Sequence, residues 1–241
     1  MPAKKSPFLE AYERGLRGFE RRAFERGMFG GLTLREVRFT AANLQYADFS
    51  RSILLDSDLR EANLTEANLA GAALSRCKLN GAITAGVDMR ELQARDTDLR
   101  GIDLSGVDMR GALLEGCDLT DLDLRDVSGL DSVRFTLATL RGASLERQFL
   151  AGASLQACDL RGVDLRGADL SFANLRSADL RGANLSGANL FAADLCRADL
   201  RWCLCQGADL TEANVDRANL SGADVTDLRG SPAGLEAAVQ G

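Results

Sequence analysis

The sequence predicts an all-β solenoid, a four-sided β-helix of about ten coils with an N-terminal α-helical cap. Three observations predict this class of fold. A large apolar residue, usually Leu, occupies almost every fifth position from Leu34 to Val225, with one register slip and with exceptions that include Thr84 and Ala94, at the second of which the small-large order is reversed. A small residue, most often Ala, stands two positions before it, and Asp or Asn lies between the two. Two turn-forming residues, often Arg-Gly or Ser-Gly, complete the unit.

The order small, polar, large is typical of a short strand, because successive strand side chains point to opposite faces. A period of five does not fit an amphipathic helix, whose apolar residues recur every 3.6 residues. A chain that turns the same way after every unit closes on itself after about four sides, and its coils then stack about 4.8 Å apart. Leu would stack on Leu and Ala on Ala, so each coil needs its neighbours to bury its apolar face.

The N-terminal segment predicts a helix over residues 7–27. Ser6 is suited to the N-cap and Pro7 to the first helical position. Apolar residues then recur at helical spacing: Phe8, Tyr12, Leu16, Phe19 and Ala23. We expect this helix to cover the exposed end of the first coil. The alternative is a helix that contacts a partner or a second copy of the chain.

These patterns divide the chain into three parts. Residues 1–30 are expected to form the capping helix, residues 31–227 the β-helix, and residues 228–241 a short C-terminal cap or tail. The five-residue register slips by one residue near 125–130. We expect this slip to form a bulge.

The repeating units ANLTE, ANLAG, ADLRG and ANLSG extend over residues 32–226 and resemble the pentapeptide-repeat family. The resemblance implies a right-handed quadrilateral β-helix. It also implies a protein-binding role, because some members mimic duplex DNA, bind type II topoisomerases such as gyrase and protect them from inhibitors. In such members the C-terminal end often forms a dimer contact, so a homodimer is one expectation.

Composition excludes several classes of function. The formal net charge is -6, whereas binding of nucleic acid through phosphates needs a basic surface. The chain has no run of 18 apolar residues, and its first residues lack a secretory apolar core, so we expect a cytoplasmic protein without a membrane span. It also contains no histidine and no cluster of unlike catalytic groups. The sequence therefore predicts no enzymatic activity and no metal or cofactor.

The cysteines form no CxxC pair, which argues against a zinc or redox motif. Cys77, Cys117 and Cys158 occupy small inward positions of the repeat and are expected to be buried. Cys196 is expected to lie outside.

Residues twenty apart fall into columns on the four predicted sides. One side alternates an Asp column from Asp58 to Asp199 with an Arg column from Arg60 to Arg201, which indicates a self-neutralising ladder or, alternatively, a docking face. On the next two sides the acidic residues have less compensation from such an arginine column. They are Asp103, Asp123 and Asp164 on one side, and Asp48, Asp88, Asp108 and Asp169 on the other.

We interpret these acidic sides as a DNA-mimicking surface that binds DNA gyrase or topoisomerase IV and protects it from inhibitors. The alternative is a general protein–protein interaction scaffold or regulator without a topoisomerase role. In either case the expected partner is a protein.

Three phenylalanines form the last candidate site. Phe149, Phe172 and Phe191 fall on one side in three consecutive coils, with Trp202 close behind. Exposed aromatic clusters are typical of interfaces. We expect a patch for self-association or for a partner, the alternative being that these rings only pack over turns.

Overall fold

The computed structural model describes residues 6–230 and confirms a parallel β-solenoid with a short N-terminal helix. The helix is α1, Pro7–Glu13. The strands are β1 (Thr33–Arg35), β2 (Ile53–Leu55), β3 (Ala73–Ser75), β4 (Gln93–Arg95) and β5 (Leu113–Glu115). They form one parallel sheet in the order β1-β2-β3-β4-β5. A 3-10 helix follows at Leu130–Ser132.

The coil has four sides, which we label A to D in chain order, with β1–β5 on side A. Isolated parallel bridges define the other sides, and they join residues twenty apart, or twenty-one apart across the register slip. The bridged positions run from Gly18 to Asn219 on side B, from Ala23 to Asp224 on side C, and from Met28 to Arg229 on side D. Backbone hydrogen bonds run between neighbouring coils: for example, Leu44 N–H donates to Asn63 O at 2.8 Å. The coils therefore stack in register, as the repeat predicts.

The large and small apolar positions of each unit point inward and form one continuous core. The exchange of large and small residues at Leu92 and Ala94 is accommodated, since both side chains are buried. Thr84 replaces a core Leu and is also buried, and its hydroxyl donates to the backbone oxygen of Asp103. The polar atom therefore has a partner, which removes the main cost of burying a hydroxyl.

Where a unit carries Asp or Asn, this residue has a structural role at the corner of the coil. Its side-chain oxygen accepts a hydrogen bond from the backbone N–H two residues later, as in Asp48 with Ser50 at 2.9 Å and Asn63 with Thr65 at 3.1 Å. Asp and Asn are suited to such turns because their short side chains reach back to the chain. The polar column is therefore part of the fold on every side.

The predicted helix over residues 7–27 is too long. Ser6 is confirmed as the N-cap, since its Oγ accepts from Leu9 N–H at 3.2 Å, but α1 ends at Glu13. The first coil already begins near Gly18, which bridges Arg38. The apolar residues that continue the solenoid register toward the N-terminus recur every five residues: Phe19, Phe24 and Phe29. Stacking on the next coil decides the conformation of this segment.

The register slip forms a tight turn and not a bulge in a strand. Ser128 still pairs with Asp108 twenty residues earlier, whereas Arg134 pairs with Leu113 twenty-one residues earlier. Gly129 adopts a left-handed conformation with φ 78°, and the 3-10 helix after it absorbs the extra residue. Leu130 stays in the core, so the slip leaves the inward column continuous.

Gln148 donates hydrogen bonds to backbone oxygens just before the register slip. It stands where most coils carry a small residue, and its Nε2 donates to the backbone oxygens of Leu124 at 2.8 Å and Val127 at 3.2 Å. An unpaired buried carbonyl is costly, so this amide stabilises the turn.

None of the helices within residues 6–230 is long and apolar enough to cross a membrane. The predicted C-terminal cap or tail, residues 228–241, lies outside the described residues beyond Gly230.

Candidate partner-binding surfaces

Side B carries the charge ladder, and the structure pairs its charges within and between coils. Arg100 binds Asp98 two residues earlier at 2.7 Å and also lies 3.4 Å from Asp118 of the next coil. Arg181 binds Asp179 at 2.6 Å and lies 3.6 Å from Asp199. Hydrogen bonds from Arg100 hold the pKa of Asp98 below its usual value. Such exposed pairs add little stability, but they cancel the charge of this side.

Sides C and D carry the seven predicted partner-binding acids, and four of these are more covered than the sequence columns indicate. Each has an arginine two residues later on the same side of the strand: Asp88–Arg90 at 2.5 Å, Asp108–Arg110 at 2.6 Å, Asp123–Arg125 at 2.6 Å and Asp164–Arg166 at 2.7 Å. The hydrogen bonds from Arg125 lower the pKa of Asp123 to about 2. These four carboxylates therefore stay ionised, but a guanidinium neutralises each of them.

The other three predicted acids, Asp48, Asp103 and Asp169, form no ion pair with any residue among those described. Each accepts a hydrogen bond from the serine N–H two residues later, at 2.9 to 3.0 Å. The hydrogen bonds from Ser105 lower the pKa of Asp103. These three side chains are the uncompensated negative charges of the predicted site.

The net negative charge of the solenoid is nevertheless confined to sides C and D with their corners. Acidic residues clearly outnumber basic ones there. The acids are Glu25, Asp48, Glu66, Asp88, Glu91, Asp103, Asp108, Asp123, Asp126, Asp131, Glu146, Asp164, Asp169, Asp209, Glu212, Asp224 and Asp227. The bases are Arg22, Arg26, Arg51, Arg90, Arg110, Arg125, Arg147, Arg166 and Arg229. On sides A and B the two kinds nearly balance, so the rod has one acidic half.

The structure places three of the four aromatic residues of the predicted interface patch together on side D. Phe172 and Phe149 are 64% and 65% exposed, and Phe191 is half-buried. The rings of Phe172 and Phe191 meet edge to face, with centroids 5.5 Å apart. We call these three residues the phenylalanine patch.

Trp202 does not belong to this patch. It stands thirty residues after Phe172, which is one and a half coils, and so occupies the diagonally opposite corner, between sides B and C. The guanidinium carbon of Arg201 lies 5.3 Å from the centroid of its ring, which stays exposed. The sequence spacing was misleading because a separation of ten or thirty residues reverses the side of a four-sided coil.

The six cysteines are free and buried. This confirms the expectation for Cys77, Cys117 and Cys158, but Cys196 was wrongly expected outside: it is only 6% exposed and contacts Asp216 at 3.9 Å. Cys203 and Cys205 face each other in the core, with sulfurs 2.8 Å apart. No group of three or more Cys, Asp or Glu residues within the described chain is arranged to hold a metal ion.

Burial is expected to make the thiols inert. It raises the pKa of Cys77 to about 11 and the pKa of Cys117 and Cys158 to about 12. Reaction of these three thiols with a disulfide reagent at pH 8 should be at least about 100-fold slower than in the unfolded chain, since only the thiolate attacks. A titration in guanidinium provides the unfolded reference. Cys196 is the most exposed of the six cysteines, although it is still buried. If one thiol of the native protein reacts rapidly and proves to be Cys196, its burial is contradicted.

No curated protein sequence matches this chain significantly. Among solved structures, the chain is similar to HetL, a pentapeptide repeat protein of the cyanobacterium Nostoc involved in heterocyst differentiation regulation, with 32% identity, 92% of this chain and 90% of that chain covered, and a TM-score of 0.45. It is also similar to a trypsin-treated form of QnrB1, a plasmid-mediated fluoroquinolone resistance protein, with 14% identity, coverage of 92% and 94%, and a TM-score of 0.45.

The family model described as "Pentapeptide repeats" matches the chain in overlapping segments: 24–56, 33–69, 42–81, 95–128, 134–171, 150–187 and 188–227. The matched segments cover most of the solenoid. The unmatched stretches coincide with the exchanged core pair at Leu92 and Ala94 and with the turn after Gly129. The period, the inward Leu and Ala columns and this match lead to one conclusion: the chain belongs to the pentapeptide-repeat family.

Proposed function

We propose that this protein is a non-enzymatic rod that binds a basic protein surface through sides C and D, as a local mimic of duplex DNA. We further propose that the partner is a type II topoisomerase, DNA gyrase or topoisomerase IV, which the rod protects from inhibitors. The observation that supports the proposal is the confinement of net negative charge to one half of the solenoid. We propose the cytoplasm as its location, where such an enzyme acts.

The charge density limits what this mimicry can be. Duplex DNA carries one negative charge per about 1.7 Å, whereas each side of the rod offers at most one strand-position Asp per coil of about 4.8 Å. Arginines neutralise several of these acids. The attraction therefore depends on the uncompensated carboxylates and serves mainly to steer and orient the partner.

A gyrase supercoiling assay tests the proposal. The wild-type protein should protect supercoiling from a gyrase poison, or inhibit it at micromolar concentration. Replacing Asp103, Asp123 and Asp164 together by Asn should weaken the effect at least about tenfold, because it removes the unpaired charge of Asp103 and the aspartates that neutralise Arg125 and Arg166 toward a basic partner. The fold should tolerate the changes, since Asn43, Asn63 and Asn184 occupy equivalent positions of side C.

A matched control removes the same number of carboxylates from the neutral ladder. Asp98, Asp159 and Asp179 on side B would be replaced by Asn, which keeps the acceptor for the corner N–H. This variant should retain activity within about twofold. Stronger loss in the side B variant than in the side C variant would show that the contact surface is the ladder.

The second candidate function is a general scaffold or regulator that binds a protein other than a topoisomerase. The exposed phenylalanine patch favours it, since an apolar surface contributes to an interface without any resemblance to DNA. Absence of any effect on gyrase and topoisomerase IV, together with capture of a partner that the Phe172→Ala variant loses, would support the scaffold.

A further inference from the structure

We propose that the phenylalanine patch and Asp169 form a recognition site for an arginine side chain of a partner protein. The inference rests on the proposed function insofar as side D faces a basic partner. It does not require that this partner be a topoisomerase.

The first argument comes from the rings. At three other places an arginine of this chain lies close to the ring of an aromatic side chain at the surface: Arg17 is 4.1 Å from the Tyr12 centroid, Arg26 is 5.5 Å from that of Tyr46, and Arg201 is 5.3 Å from that of Trp202. No arginine of the described chain lies over the three rings of the patch. A guanidinium is attracted to an aromatic face within about 6 Å. These rings therefore offer an acceptor surface that the chain itself leaves unused.

The second, independent argument comes from the carboxylate. Asp88 and Asp108 occupy the same column as Asp169, and each is neutralised by the arginine two residues later. After Asp169 the residue two positions later is Ser171 and not an arginine. No cation among the described residues pairs with Asp169. The Oδ1 atom of Asp169 accepts hydrogen bonds from Ser171 N–H and from Asn189 Nδ2, both at 3.0 Å. Its Oδ2 accepts no hydrogen bond found within the described chain.

The fold brings the unused rings and the unused carboxylate together. Phe149 and Asp169 are partners in a parallel bridge, so their side chains lie next to each other on side D. Phe172 follows at the corner of the same coil as Asp169, and its N–H donates to Phe191 O at 2.9 Å. Neighbouring strand positions are about 4.8 Å apart. One guanidinium can therefore contact a ring and the carboxylate at the same time.

The local charge selects the occupant. In a symmetric contact, a second copy of the chain would bring Asp169 and Asp209 of both copies together, and like charges across an interface cost free energy. A basic partner removes this cost. Arginine fits better than lysine, because its planar guanidinium stacks on aromatic rings and pairs with a carboxylate through two hydrogen bonds.

Fluorescence anisotropy with the full chain and two labelled peptides tests the site, one of alternating Gly and Arg and one of alternating Gly and Lys. We expect the Arg peptide to bind several-fold more tightly. The double variant Phe149→Leu/Phe172→Leu should weaken its binding roughly two- to fivefold, since a ring contact at an exposed site contributes about 0.5–1 kcal/mol. Asp169→Asn should weaken it comparably, while Trp202→Leu should change it less than about twofold.

The variants are chosen so that the fold survives. Leu137 occupies a corner position equivalent to that of Phe172, with φ 61° against 58°, and Leu204 occupies a strand position equivalent to that of Phe149. Leu keeps apolar area and removes the ring. An unchanged circular dichroism melting curve would confirm that folding is intact.

Unchanged binding of the Arg peptide to the double variant would overturn the site, as would equal binding of the Lys peptide. A salt-strengthened dimer of the wild type that the double variant loses would show that the occupant is a second copy. A failed gyrase assay with the expected peptide results would reject the topoisomerase and leave the arginine site standing.

Discussion

Replacing Phe8 by Ala is expected to lower the free energy of unfolding of the first coil by about 3–5 kcal/mol. Phe8 is 6% exposed, and its ring lies on the open end of the solenoid, 4.7 Å from the Phe19 centroid and 4.8 Å from that of Phe29. The change would leave a cavity and expose these rings to water. Hydrogen exchange of backbone amides before residue 40 measures the loss directly.

The expected effect is local, because each coil of a solenoid contacts only its neighbours. Amides after residue 100 should exchange as in the wild type. Phe8→Leu retains most of the buried volume and should cost less than half as much. If Phe8→Ala leaves the hydrogen exchange of the first coil unchanged, α1 is not a cap. That result would favour the alternative of a helix that contacts a partner or a second copy of the chain.

Replacing Gly129 by Ala should destabilise the chain by about 3 kcal/mol. Gly129 has φ 78°, a conformation that costs free energy for any residue with a Cβ. A Cβ at this position would also lie 2.8 Å from Arg110 N and 2.9 Å from Arg110 Cα, so backbone must shift. The midpoint and slope of urea unfolding, followed by circular dichroism, measure the change.

Gly152→Ala is the matched control. Gly152 has a similar φ of 74°, but nothing lies within 4 Å of the added Cβ. We expect a cost of only about 1 kcal/mol, the cost of the left-handed backbone alone. Ala157 and Ala192 already adopt this conformation at equivalent corners. Equal effects of the two substitutions would show that close packing at the slip contributes nothing.

The sequence was most informative where one signal is repeated. Leu and Ala at intervals of five predicted the coils, the inward columns and the buried Cys77, because in a stacked coil the neighbour of each residue is fixed by the period. It was least informative at the start of the chain. There Phe8, Tyr12 and Phe19 fit a helical period, although Phe19, Phe24 and Phe29 also fit the period of five. Local spacing alone does not decide between the two.

The candidate site shows the same division. The columns of acids on sides C and D are predictable from residues twenty apart, but these columns alone do not indicate that arginines neutralise several of the acids. An Asp and an Arg two residues apart, as in Asp123 and Arg125, lie on the same face of a strand and can pair. This spacing was visible in the sequence. By contrast, the structure is needed to show that Asp88 and Asp108 of the same column are paired with arginines while Asp169 has no cationic partner among the described residues.

By itself the sequence determined the solenoid, its four sides and which side chains point outward, because a strict period fixes both alternation and stacking. Only the tertiary structure decided where the helix ends, how the slip is absorbed and which exposed rings and carboxylates remain unpaired. These features depend on side chains that meet across coils, and such contacts follow from geometry in three dimensions and not from the order of residues within a unit.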